Sequence, residues 1–181
     1  MKPLRNLLWA GVFLALVAAV LGGCAPVDKP AKSIHQIRSR LDLPQKPLEN
    51  IGSGSMINSP NGNEAVVNYR DGDGRVYSYD PALEQVIEID ARARLAVIPT
   101  GAAALSPDQL SALANKYAAA TVPGFEGLSA SLRYEAGSKG DNYFYSWYAD
   151  NPAGTMMPPF LQIALYKNGE LFAYYNTLAL K

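Results

Sequence analysis

Hydrophobic and polar positions follow three different rhythms along this chain, and each predicts a different kind of element. Residues 7–20 form an unbroken apolar run behind Lys2 and Arg5, the arrangement of a basic n-region and an h-region in a targeting segment. From 25 to 63 large apolar residues are sparse and Pro, Lys, Ser, Asn and Gly dominate. One short helix is expected there, capped by Ser33, with Ile34, Ile37, Arg38 and Leu41 on one side and Pro44 and Pro47 preventing its continuation. Strand-like runs then fill 65–69, 75–79 and 85–89, with further apolar residues at Leu95, Val97 and Ile98. Asp71-Gly72-Asp73-Gly74 and Asp80-Pro81 supply the turns between them, so a three-stranded meander is expected, with Tyr77 and Tyr79 on one face.

The rhythm changes to a helical period at Ser106. Ser106-Pro107-Asp108-Gln109 combines a cap, a proline at the first helical position, an acid near the positive helix end and a capping-box glutamine. Leu110, Leu113, Ala114, Tyr117 and Ala118 then repeat as one apolar stripe until Val122-Pro123-Gly124 stops it. Beyond it, residues 128–135, 142–148, 160–167 and 170–175 are strand-like and aromatic. Asn168-Gly169 predicts a two-residue type I′ hairpin placing Lys167 opposite Glu170, Leu165 opposite Phe172 and Ile163 opposite Tyr174. The fold class expected is α+β, an antiparallel β-sheet packed by one main helix and preceded by a β-meander. In domain terms this is a signal peptide at 1–23, a flexible tether at 24–63, a meander subdomain at 64–100 and an α+β domain at 101–181.

The first apolar run ends at Leu21-Gly22-Gly23-Cys24, which holds the only cysteine of the chain. This pattern resembles the bacterial lipobox. The resemblance implies a diacylglycerol on the Cys24 sulfur, cleavage before that residue and often an acyl chain, such as palmitate, on the new amino terminus. The partner implied is membrane lipid through Cys24, with the body extracytoplasmic and anchored to a bacterial membrane; stable anchoring generally takes two hydrophobic signals. An uncleaved signal anchor would orient the body the same way. Without residues 1–23 the chain keeps 14 basic and 16 acidic residues, a net charge of −2. That balance argues against nucleic acid, which favours basic domains. With Cys24 lipidated no thiol remains for a disulfide, so packing must hold the fold.

Catalytic constellations are not legible. The single histidine, His35, lies in the expected tether rather than beside an ordered serine, and it offers neither a triad base nor a zinc ligand set. Reading Asp71-Gly72-Asp73-Gly74 as a calcium loop puts Arg75 at a ligand position and Ala82 where the bidentate acid belongs, so a hairpin is the better assignment. Glu84, Glu88, Asp90, Glu135, Asp141 and Asp150 are scattered as solvated surface charges, and Gly52-Ser53-Gly54 lacks the rest of a dinucleotide fingerprint. No catalytic residue, metal or cofactor is therefore expected, and the chain is read as a non-enzyme. Aromatics remain. Alternation puts Tyr143, Tyr145 and Trp147 on one face of their strand and Phe144 and Tyr148 on the other. Either the first set is buried against the meander or, with Tyr174, it forms an exposed binding surface.

Residues 106–177 resemble a PepSY-type domain, the module of metallopeptidase propeptides and of repeats in bacterial envelope proteins. The resemblance is carried by the capped helix from Ser106, by Val122-Pro123-Gly124-Phe125, by Tyr143-Phe144-Tyr145-Ser146-Trp147 and by the hairpin from Ile163 to Leu171. The chain departs from that pattern at Lys167-Asn168-Gly169-Glu170, where such repeats often place an acidic residue or proline before the glycine turn. The resemblance implies a PepSY-like sheet and helix with no catalytic residue. It also implies a protein-interaction or peptidase-modulating role on an envelope protein or peptidase, with restraint acting in trans because no peptidase domain follows. The competing expectation is a lipoprotein that binds a glycan or small molecule through the aromatic surface, and a weak hydrolase ranks third.

Overall fold

The structure is a computed structural model that describes residues 28–56, 59–95 and 103–180. The signal segment and Cys24 lie outside the described residues, as do Val97 and Ile98. In chain order the elements are α1 (Lys29–Arg40), β1 (Leu48–Met56), β2 (Glu64–Asp71), β3 (Val76–Asp80), β4 (Gln85–Asp90) and α2 (Arg92–Leu95). They continue with α3 (Pro107–Thr121), α4 (Phe125–Ser129), β5 (Arg133–Lys139), β6 (Asn142–Tyr148), β7 (Phe160–Tyr166) and β8 (Leu171–Asn176).

All eight strands form one open antiparallel sheet in the order β1-β2-β3-β4-β8-β7-β6-β5. This corrects the expected fold class. No separate β-meander precedes a one-helix α+β domain, because β4 pairs with β8 through Glu88–Tyr175, Ile89–Tyr174 and Asp90–Ala173 and joins the two groups of strands. One core cluster accordingly runs through Ile89 of β4 and Tyr174 of β8, from Tyr69 and Tyr77 at one end to Tyr145 and Trp147 at the other.

The expected tether is also corrected, since residues 29–40 and 48–56 belong to this body. Ile34, Ile37 and Leu41 of the α1 segment enter the main core with Tyr69, Tyr77, Tyr79, Val86 and Ile89. Burying aliphatic side chains of that size stabilises by about 1.5–3 kcal/mol each, enough to hold a helix whose overall composition is polar. The cap is Asp28, whose Oδ1 accepts from the Ala31 amide, while Ser33 instead donates from Oγ to the Glu84 carbonyl at 2.9 Å. β1 is an edge strand with most of its residues exposed, so it pairs with β2 without needing an apolar face.

Local chemistry builds α3 as its sequence predicts. Ser106 Oγ accepts from the Gln109 amide at 3.2 Å and Gln109 Oε1 accepts from the Ser106 amide at 2.8 Å, closing a capping box. Leu110, Ala114, Tyr117, Ala118 and Thr121 are the buried stripe. The strand expected over 128–135 starts later, at Arg133, because Leu128 and Ser129 belong to α4: Gly124 at φ +69 reverses the chain and turns Phe125 onto Trp147, with ring centroids 5.2 Å apart and edge-on.

The β7–β8 turn also differs from expectation. A type I′ turn needs positive φ at both central residues, and of Asn168 and Gly169 only Gly169, at φ +86, has it. The loop is therefore three residues long, with the Gly169 amide donating to the Tyr166 carbonyl and the Tyr166 amide donating to the Glu170 carbonyl. Leu165 pairs with Leu171, and a bulge before Ala164–Ala173 restores the expected Ile163–Tyr174 register. Lys167 consequently pairs with Asp141, Nζ to Oδ2 at 2.8 Å, rather than with Glu170.

Candidate functional site

Three of the four aromatic residues expected to form a binding surface are in the core, and this corrects the exposed-surface expectation. Tyr145 retains 5%, Trp147 3% and Tyr174 1% of their accessible area, while Tyr143 is half-buried. Alternation does put Tyr143, Tyr145 and Trp147 on one face, but it is the face beneath the helices: Phe125 and Tyr134 lie against the Trp147 ring, and the α3 stripe shares their cluster.

On the opposite face Phe144, Tyr166 and Tyr175 pack around Ala164, Phe172 and Ala173. A row of rings runs across three strands there, Tyr148 to Phe160 at 5.8 Å and Phe160 to Tyr175 at 6.1 Å. Glu88 adjoins this row. Burial pushes its carboxyl above the usual range, against hydrogen bonds from Tyr175 and Ser78, and burial with the Glu88 charge raises the Tyr175 phenol to about 12.

A second polar feature fixes α1 to the sheet. Arg38 is fully buried; its Nη1 donates to the Lys46 carbonyl at 2.7 Å, its Nη2 lies 3.4 Å from Asp71 Oδ2, and its guanidinium stacks over the Tyr77 ring at 4.7 Å. Tyr77 donates from its hydroxyl to the same Asp71 oxygen at 2.9 Å, and burial drives its phenol far above the ordinary range. Arg75 Nη1 reaches Asp73 Oδ2 at 2.9 Å and Asp71 Oδ2 at 3.4 Å, with Glu170 Oε1 4.0 Å from Nη2. The Asp71-Gly72-Asp73-Gly74 carboxylates thus hold a guanidinium, the chain's own cation, and Asp71 Oδ1 shapes the turn by accepting from the Asp73 and Arg75 amides. With so many partners inside the fold, this cluster is an anchor for α1.

Tyr174, one of the three buried residues, leads to a pocket. It lies where the last turns of α1 and α3 meet the start of β4 and the end of β8, has a volume of about 100 Å³, and is lined by Arg40, Glu84, Gln85, Thr121, Tyr174 and Asn176 among others. Burial raises the Tyr174 phenol, opposed by hydrogen bonds from Thr121 and Asn176 and by the Arg40 charge. Several acceptors around it are engaged. Glu84 Oε1 holds Lys29 Nζ at 2.5 Å, the Glu84 carbonyl accepts from Ser33, and Asn176 Oδ1 accepts from the Leu178 amide. Two donors are not: Gln85 Nε2 is buried with no hydrogen-bond partner, and Arg40 has no carboxylate partner among the described residues.

No family model, curated protein or solved structure matches this chain. Its chemistry is therefore read from its own residues. The sequence signal for the pocket is slight: Tyr174 stood out as an aromatic, whereas Arg40 and Gln85 come from segments 45 positions apart that only the fold brings together. His35 is exposed on α1, on the stripe Lys32, His35, Gln36, Ser39 and Arg40 that faces away from the core. Spacings of three and four residues place these five on one side, with no acid among them.

Proposed function

We propose that the chain is a lipoprotein of a bacterial envelope, anchored through Cys24, whose body binds a partner protein or peptide and catalyses no reaction. The anchor rests on the Leu21-Gly22-Gly23-Cys24 resemblance, and the observation that carries the binding role is the pocket over Tyr174, which offers free donors and an aromatic floor but no nucleophile paired with a base. Small, mostly pre-formed concavities with a few convergent polar groups are the usual form of a binding site. A glycan- or small-molecule-binding role through an exposed aromatic face of Tyr145 and Trp147 is not favoured, since those rings are used as core.

The anchor and the body lie close together in the chain. Only residues 25–27 separate Cys24 from Asp28, so a fully extended backbone spans at most about 14 Å between them. A lipid on Cys24 would hold α1 at the bilayer surface instead of on a long stalk, with Lys32, His35 and Arg40 on its outward side. Metabolic labelling with an alkyne fatty acid, followed by membrane fractionation, tests the anchor. Label and membrane association are expected for the wild type and both are lost in Cys24→Ser; a labelled Cys24→Ser protein, or an unlabelled wild type, contradicts the proposal.

A further inference from the structure

We propose that the pocket over Tyr174 takes a carboxylate, and that the carboxylate is the C-terminus of a peptide. This assignment rests on the binding role proposed above and names the ligand class for the same pocket. It follows from which polar groups around the pocket remain available. The Glu84 carboxylate is neutralised by Lys29, the Glu84 carbonyl and Asn176 Oδ1 have donors, and Thr121 Oγ1 donates to the Tyr117 carbonyl at 2.8 Å. Against these engaged acceptors stand two donors: the Gln85 amide nitrogen, buried and unpaired, and the fork of Arg40. A buried donor without an acceptor is destabilising, so a ligand that brings an acceptor relieves a cost already present in the free protein. A carboxylate fits best, because its two oxygens match the guanidinium fork and leave a lone pair for the amide.

Size selects an end group. About 100 Å³ is several times the space one water needs, yet well below the roughly 300–1,000 Å³ of a pocket that engulfs a whole small ligand. Only the tip of a longer molecule enters. Gln36 and Arg40 also line the shallow surface groove along α1 with Lys32, His35 and Ser39, so a chain leaving the pocket runs onto an acid-free, cationic surface. The one carboxylate in the wall, Glu84, opposes an anion, and its contact with Lys29 Nζ offsets that repulsion. Capture of a terminal carboxylate is an established mode of peptide recognition.

The test uses the full-length acylated protein in detergent micelles, with its glutamine side-chain amides labelled for NMR, and three probes. These are N-acetyl-dialanine with a free carboxylate, the same peptide as its C-terminal amide, and sodium acetate. The free-acid peptide is expected to move the Gln85 side-chain amide and to bind at least about tenfold more tightly than the amide, the size of one charge-assisted hydrogen bond. Arg40→Ala, an exposed position on α1, should weaken it about tenfold with an unchanged circular dichroism spectrum, and Gln85→Leu should weaken it similarly. Equal binding of acid and amide, or a Gln85 amide silent to all three probes, overturns the proposal and leaves the pocket as a water site. Acetate binding as tightly as the peptide overturns the assignment to a peptide terminus. Because acylation is read separately on the same sample, a silent titration on acylated protein sinks the pocket alone, and unlabelled protein sinks the anchor.

Discussion

The two halves of the sheet hold their helices by different physics. In the C-terminal half α3 and α4 lie on Tyr145, Trp147, Leu161 and Ile163, and the contacts are apolar, aromatic and edge-to-face. In the N-terminal half α1 supplies Ile34, Ile37 and Leu41 but sets a fully buried arginine beside them, matched by Asp71 and the Tyr77 ring. Apolar packing is non-directional and tolerates repacking. A buried ion pair has one good geometry, and removing one partner leaves the other charge stranded. The N-terminal half should therefore be brittle toward single substitutions and forgiving toward paired ones.

The largest effect is expected at Asp71, which faces both Arg38 and Arg75 and accepts from Tyr77. Asp71→Ala should destabilise by about 3–5 kcal/mol in urea unfolding, the cost of leaving buried charge uncompensated. The paired variant Arg38→Met with Asp71→Asn should recover at least about 1 kcal/mol relative to the sum of the two single effects, because neighbours in one network are not additive. Strict additivity would show that Arg38 is held by its methylene stem and not by its charge.

A smaller loss is expected in the C-terminal half, where Ser106→Ala removes one side of the capping box. It should cost about 1 kcal/mol and leave α1 unaffected. An effect as large as that of Asp71→Ala would mean that α3 depends on its cap more than on its apolar stripe.

The subtlest effect is one of pH at the seam between the halves. Burial holds the Glu88 carboxyl above its ordinary range, so in the folded state it keeps a proton that the unfolded chain has already released. Its contribution is thus most favourable in acid and is lost as pH rises from the ordinary glutamate range through the raised folded value. Glu88→Gln removes that dependence. The stability of wild type relative to the variant should fall with rising pH in that window, measured as urea midpoints at a series of pH values, and a pH-independent difference would contradict the burial of Glu88.

Legibility in the sequence tracked the range of the interactions. The start of α3 was readable because four adjacent residues, Ser106 to Gln109, carry the whole capping chemistry. The runs behind β2, β3 and β4 were readable from alternation and turn residues, and the split of the β6 aromatics into two faces followed from the strand period. What escaped was decided at long range. α1 looked like tether because one of its inward residues is an arginine, whose burial depends on Asp71, 33 positions away. β1 escaped because an edge strand needs backbone pairing more than apolar side chains. The covering of Trp147 depends on Gly124 reversing the chain, and the pocket is assembled from α1, α3, β4 and β8, so no single stretch announces it.

Native-state hydrogen exchange on the amides of α1 and α3 tests most directly whether α1 is part of the body, on which both the pocket and the closeness of the body to its anchor depend. The Leu41 amide, bonded to the Ile37 carbonyl, and the Val122 amide, bonded to the Ala118 carbonyl, should exchange with similar opening free energies close to that of global unfolding. Rapid exchange at Leu41 beside full protection at Val122 would contradict it, and would return residues 29–40 to the role of a tether.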